Sequence, residues 1–184
     1  MNNAKGATMD RNFGRLLNRL SWSYSTSKLY QVCPRQYWFK KFGGWGGWEE
    51  DDASERRRIW LLGKVKNRYM WRGEIVHKLV AWLIRCWRQG QSPTAAEIEQ
   101  FALGTFRKQF RESIAGNLFA GNPRALALRE HVYRTTLSDG TWKFLVHAAI
   151  DLVKVFSTSP MAAEIKAVPE SAWMAVENPD PALD

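Results

Sequence analysis

The sequence predicts an α/β fold of the α+β kind, with helices first and then a small mixed sheet flanked by them. Three observations predict it. From Gly73 to Arg88, apolar residues fall at Ile75, Val76, Leu79, Val80, Leu83, Ile84 and Trp87, the i, i+3, i+4, i+7 stripe of an amphipathic helix. Ser92-Pro93-Thr94 reads as a turn and cap into a second helix over roughly 94–114, carrying Ile98, Phe101, Phe106 and Phe110. Residues 126–156 then change character. Val132, Tyr133, Thr135 and Thr136, and then Trp142 to Val155, flank Ser138-Asp139-Gly140, which reads as a hairpin turn between strands.

The remaining elements follow in order. Residues 1–20 form a basic lead with a short helix holding Arg11, Arg15 and Arg19. Ser25 is the expected N-cap of a helix running to about Val32, and Pro34 suits the first position of a further helical turn. Gln36 to Phe42 is aromatic and basic. Gly43 to Trp48 must be a loop, because four glycines in six residues disfavour helix and strand alike. The acidic stretch Glu49 to Asp52 gives way to Arg56, Arg57 and Arg58. Ala162 to Val168 is expected as one more short strand, and residues 169–184 as an acidic, Pro-containing tail. Residues 21–168 thus form a single expected domain with helices on the faces of its sheet, in α+β or three-layer order.

Charge bounds the function. The 184 residues carry 27 Lys and Arg against 18 Asp and Glu, a net +9. Before Ser159 the balance is 26 bases to 13 acids. Such an excess favours a polyanionic partner, of which nucleic acid is the usual one. Cys33 and Cys86 are too few for a disulfide scaffold, and no apolar leader is visible at the start, so a cytoplasmic protein is expected. The apolar run Leu79 to Ile84 is far short of the roughly 20 residues that cross a bilayer, so no membrane role is expected.

Three separated fragments offer metal-ligating chemistry. Glu164-Ile165-Lys166, read as a strand, sets a carboxylate and an ammonium on one face, since strand side chains repeat every second residue. Asp151 stands in the apolar run Ala148 to Val153, where a carboxylate needs a metal, a base or hydrogen bonds; a hydrogen-bonded strand-end Asp is the alternative. His77 lies at the edge of the apolar stripe of the 73–88 helix, either as a satisfied core histidine or as a ligand. Gly73, one turn earlier, leaves room for a close backbone or nucleic-acid approach. An imidazole, two carboxylates and an ammonium can hold a divalent cation against a phosphodiester and activate water beside it.

Together with Ser23-Tyr24-Ser25, Cys33-Pro34-Arg35-Gln36-Tyr37-Trp38-Phe39, Gly73-Glu74-Ile75-Val76-His77 and Ile150-Asp151-Leu152-Val153, the Glu164-Ile165-Lys166 triplet resembles the PD-(D/E)xK nuclease superfamily, in its RecB/Cas4-like branch. The resemblance implies a restriction-endonuclease-like core. It also implies Mg²⁺ or Mn²⁺ held by His77, Asp151, Glu164 and the backbone carbonyl of Ile165, with Lys166, Asp151 and Glu164 catalytic in hydrolysing DNA. Many relatives hold an iron–sulfur cluster by four cysteines. With only Cys33 and Cys86 none is expected here, and Cys33 is expected as a small buried hydrophobe. The Gln and Tyr that follow the acid-x-Lys strand in relatives have no counterpart after Lys166, which leaves room for a protein partner or an oligomer completing the fold.

Aromatics beside cations suit single-stranded DNA, because bases stack while Lys and Arg follow phosphates. The expected nucleic-acid contacts are Arg35, Lys40 and Lys41, Trp45 and Trp48 in the Gly-rich loop, and Arg68 and Arg72 around Trp71. Two readings follow: a metal-dependent DNA nuclease, or a non-catalytic nucleic-acid-binding or assembly subunit on a degenerate nuclease fold.

Overall fold

The structure, a computed structural model, describes residues 22–49 and 54–172. The expected helix of Arg11, Arg15 and Arg19, the acidic residues Glu50, Asp51 and Asp52, and the tail from residue 173 lie outside the described residues. The chain divides into two units, Met1–Gly63 and Lys64–Asp184.

In the first unit, helix α1 (Tyr24–Val32) starts two residues earlier than expected, because Ser23 rather than Ser25 is its cap. Ser23 Oγ accepts the Thr26 N–H at 3.3 Å. Helix α2 (Pro34–Trp38) opens on Pro34, with the Cys33 sulfur accepting the Gln36 N–H at 3.4 Å. Cys33 is therefore a half-exposed cap and not a buried hydrophobe. A π-helical turn, Phe39–Gly43, leads into the glycine-rich loop, and helix α3 (Glu55–Leu62) follows its cap Ser54. That loop lies directly on α3. A Cβ at Gly47 would stand 2.6 Å from Trp60 Cβ and 2.7 Å from the Arg56 carbonyl, so only glycine fits. Arg57, largely buried, donates to the Gly47 carbonyl at 3.2 Å.

The second unit is built on three long helices, α4 (Arg68–Arg88), α5 (Ala95–Ala115) and α7 (Asp139–Ser157). Each buries one stripe at fourfold spacing: Trp71, Ile75, Leu79 and Leu83 on α4; Ile98, Ala102 and Phe106 on α5; Leu145, Ala149 and Val153 on α7. Asn67 caps α4, accepting the Tyr69 and Met70 N–H groups at 3.0 and 2.9 Å. Thr94 caps α5 as expected, and with Glu97 it closes a reciprocal capping box. Paired rings fix the directions. Trp71 meets Phe106 at one end and Trp82 stacks on Phe101 at 4.4 Å further along, so α4 and α5 run antiparallel. Trp71 meets Trp142 and Trp87 meets Phe156, so α4 and α7 run parallel. Helix α6 (Arg129–Val132) sits in the connection between α5 and α7, and α8 (Pro160–Ala167) packs on α4 and α7.

The expected α/β fold is therefore corrected: among the described residues there is no strand, and the architecture is all helical. The only β-type pairing among them is an isolated parallel bridge, Lys66 with Leu128. Two local features misdirect the sequence reading. Ser138-Asp139-Gly140 is not a hairpin turn but a helix start, Ser138 Oγ accepting the Thr141 N–H at 3.2 Å. The run Trp142 to Val155 is rich in β-branched residues, yet its buried positions recur every fourth residue. At this length the packing of that stripe outweighs β-propensity. Ala162 to Val168 is likewise helical, beginning at Ser159 with Pro160 in the first turn. No described helix is long and apolar enough to cross a membrane.

Three glycine substitutions separate these packing statements. An added Cβ meets nothing within 4 Å at Gly73 or Gly104, both inside long helices. Gly73→Ala and Gly104→Ala are each expected to raise stability by about 0.5–1 kcal/mol. Gly47→Ala is expected to lower that of the first unit by about 1–3 kcal/mol through overpacking. Urea unfolding midpoints of the three variants against the parent chain read both signs.

Candidate nucleic-acid interface

The residues expected to share a metal stand apart on helices. His77 is exposed on α4, off the stripe of Trp71, Ile75 and Leu79. Asp151 is exposed on α7, one residue after the buried Ile150. Glu164 and Lys166 lie on α8, where helical geometry turns side chains two apart to different sides rather than to one face. The Ile165 carbonyl accepts the Val168 N–H at 3.2 Å in the C-terminal turn of α8. The Lys166 ammonium sits 4.6 Å over the Trp87 ring. Among the described residues, no three His, Cys, Asp or Glu side chains gather as a metal ion requires. The donor set does not fit an ion in this structure.

The expected nucleic-acid contacts divide between the units. In the first, Arg35 is exposed with its guanidinium 5.7 Å from the Phe39 ring, Lys40 is exposed and Lys41 half-buried. Trp45 and Trp48 pack edge to face at 5.1 Å, and the Trp48 indole donates to Glu49. In the second, Arg68 is committed: its guanidinium donates to Glu130 Oε1 at 3.1 Å and to Tyr69 Oη at 2.9 Å. Arg72 is half-buried, 6.0 Å from the Tyr69 ring.

A different surface emerges where the N-terminal ends of α4 and α7 meet the C-terminal end of α5. Trp71, 1% exposed, is the floor, its indole donating to Gln109 Oε1 at 2.7 Å. Phe106 lies beside it at 5.0 Å, and Phe110 and Trp142, 5.1 Å apart, rise around it. Together with Leu103 and Val146 these rings line a groove of about 440 Å³, with Arg107, Lys143 and His147 on its edges. That volume falls within the roughly 300–1,000 Å³ of ligand clefts.

The connection from α5 to α7 is locked onto the same end. Ser113 Oγ accepts the Leu128 N–H at 2.8 Å and lies 2.7 Å from His131 Nδ1. The Glu130 carboxylate is buried at the start of α4, accepting the Arg68 N–H at 3.3 Å, where a negative charge complements the helix N-terminus. This end carries Arg107, Lys108 and Arg111 from α5, Arg124, Arg129 and Arg134 from the connection, and Lys143 from α7, all exposed. None of these seven has an ion-pair partner among the described residues. The acids nearby are Glu74, held by Lys66 at 2.7 Å; Glu130, buried under Arg68; and Glu112 and Asp139.

None of the residues expected as nucleic-acid contacts lines this groove, although Phe106-Arg107, Phe110-Arg111 and Trp142-Lys143 repeat the same aromatic-beside-cation pattern. Assigning Trp142 to a strand placed it away from the helix that carries the phenylalanines. Comparison of the chain with protein-family models, curated proteins and solved structures gave no match.

The lock on the connection is pH-sensitive. Burial against Phe110 and Trp142 lowers the His131 pKa from its ordinary 6.5, with the Glu130 charge opposing. The unfolded chain therefore binds this proton first as pH falls. The contribution is complete above 6.5 and is lost as pH falls from there through the lower folded value. Unfolding free energy measured between neutral and mildly acidic pH is expected to decline, with a shallower decline in His131→Gln. Ser113→Ala, which strips the buried Leu128 N–H of its acceptor, is expected to cost about 1–3 kcal/mol at neutral pH in the same measurement.

Proposed function

We propose that this protein binds nucleic acid through the cationic end of its second helical unit. The observation that carries this reading is the set of seven exposed Lys and Arg side chains there without ion-pair partners among the described residues. Cations already engaged with carboxylates have little left for phosphate. These seven are available to displace the counterions of a polyanion, which is the main source of sequence-independent affinity. The net charge of +9 supports the same partner by drawing it in over long range. A non-catalytic binding or assembly role needs nothing beyond this surface.

Cleavage is the second reading, favoured by the ordered sequence blocks from Ser23 to Lys166 that resemble PD-(D/E)xK nucleases. It requires metal ligands gathered beyond what the described residues bring together, for instance by a protein partner or a second copy.

Binding of labelled single- and double-stranded DNA, followed across salt concentration, tests the first reading. Affinity is expected to fall steeply with salt, and Arg124→Glu and Arg129→Glu each to reduce the salt slope by about 1. Salt-independent binding, or variants that bind like the parent, would overturn it. Incubation with Mg²⁺ or Mn²⁺ beside Asp151→Ala and Lys166→Ala tests the second. The binding reading expects intact DNA throughout and unchanged affinity in both variants. Metal-dependent cuts lost in both would establish cleavage.

A further inference from the structure

The geometry points to a specific occupant for the aromatic groove: we infer that it takes an unpaired nucleobase of a single strand, with the flanking phosphates on Arg107 and Lys143. The inference rests on the nucleic-acid reading and deepens it from a charge preference to a choice between strand forms.

Shape and chemistry select this occupant. The walls are apolar and aromatic, with Trp71 and Phe106 as a fixed floor and Phe110, Trp142, Leu103 and Val146 above it. The floor is held in place: the Trp71 indole N–H is used by Gln109, and the ring packs edge to face with Phe106 and Trp142 at 5.0 and 6.2 Å. A flat ring can enter such a cleft and stack or pack edge-on at little ordering cost. Arg107 and Lys143 stand exposed on the two helices that form the cleft, α5 and α7. A neutral apolar guest would leave both cations idle at its edge, whereas a base joined to phosphates uses the cleft and both charges. At this end Arg107, Lys108, Arg111 and Lys143 outnumber the acids of the same two helices, Glu112 and Asp139, so the edge of the cleft is net positive. A base stacked inside a duplex cannot reach the floor, so the groove discriminates for strands whose bases are free.

The test uses the full chain with a short oligothymidylate, an abasic strand of the same length and a duplex, with binding followed by anisotropy. Oligothymidylate is expected to bind roughly tenfold or more tighter than the abasic strand, the size of one base–aromatic stack. Val146→Trp and Leu103→Trp fill the groove from opposite walls and are expected to bring the two affinities together, with circular dichroism confirming the fold. Thymidine monophosphate, which needs no variant, is expected to displace the strand where deoxyribose phosphate does not.

Equal affinity for the two strands, or a preference that survives filling of the groove, overturns the inference and leaves general nucleic-acid binding standing. Absence of binding to any strand at low salt overturns both. A dimer that Val146→Trp dissociates assigns the groove to a second copy of the chain, and displacement by a fatty acid but not by the nucleotide assigns it to a lipid. Either result overturns the inference.

Discussion

Trp71 is the side chain on which the second unit turns. It belongs to α4, yet its ring meets Phe106 and Phe110 of α5 and Trp142 of α7, so one buried indole registers all three long helices. Burying an indole requires a partner for its N–H, and Gln109 supplies it from α5. The fourfold stripes that continue from this point, Ile75 to Leu83 on α4 and Leu145 to Val153 on α7, keep the helices aligned along their length. The arrangement leaves Phe110 and Trp142 half-buried at the rim, where they line the groove. Core and groove are the inner and outer sides of one aromatic cluster.

The connection between α5 and α7 depends on polar contacts where the helices depend on apolar ones. Ser113 serves both the Leu128 amide and the His131 ring, and Glu130 ties the start of α4 to the same segment. The parallel bridge of Lys66 with Leu128 adds backbone hydrogen bonds of 3.0 Å from the Lys66 N–H to the Ala127 carbonyl and 2.7 Å from the Arg129 N–H to the Lys66 carbonyl. Buried polar contacts of this kind fix position more than they add net stability. They hold Arg129 and Arg134 at the end of the unit where Arg107 and Lys143 emerge.

Helices announced by a long apolar stripe or by a capping residue were legible in the sequence. The stripe from Ile75 to Trp87 and the start at Thr94 both lie where expected, although α4 begins five residues before Gly73 because Asn67 is its cap. The region after residue 126 was not legible. Its valines and isoleucines have strand propensity, and Ser138-Asp139-Gly140 serves as readily for a cap as for a hairpin. Only the burial of Leu145, Ala149 and Val153 against α4 and α5 decides between them, and that is a tertiary fact. The expected metal set depended on the strand assignment, because Glu164 and Lys166 share a face only at a twofold repeat. The groove depended on knowing that Trp142 lies beside Phe110, residues separated by the whole connection between α5 and α7. The aromatic-beside-cation signal was present there but had no spatial partner in the sequence.

The crowding of cations around the end of α5 has a thermodynamic side. Like charges held together by a fold repel one another, and that repulsion is relieved when the chain unfolds and they spread apart. Arg107, Lys108 and Arg111 lie within five consecutive positions of one helix, and the connection adds Arg124, Arg129 and Arg134; among the described residues of this end, Glu112 and Asp139 are the acids without an ion pair. A polyanion resting there converts the repulsion into attraction and favours the folded state over the unfolded one. If a polyanion binds this end, its occupancy and the integrity of the helices beneath it are linked, and it would act as a clamp on the core.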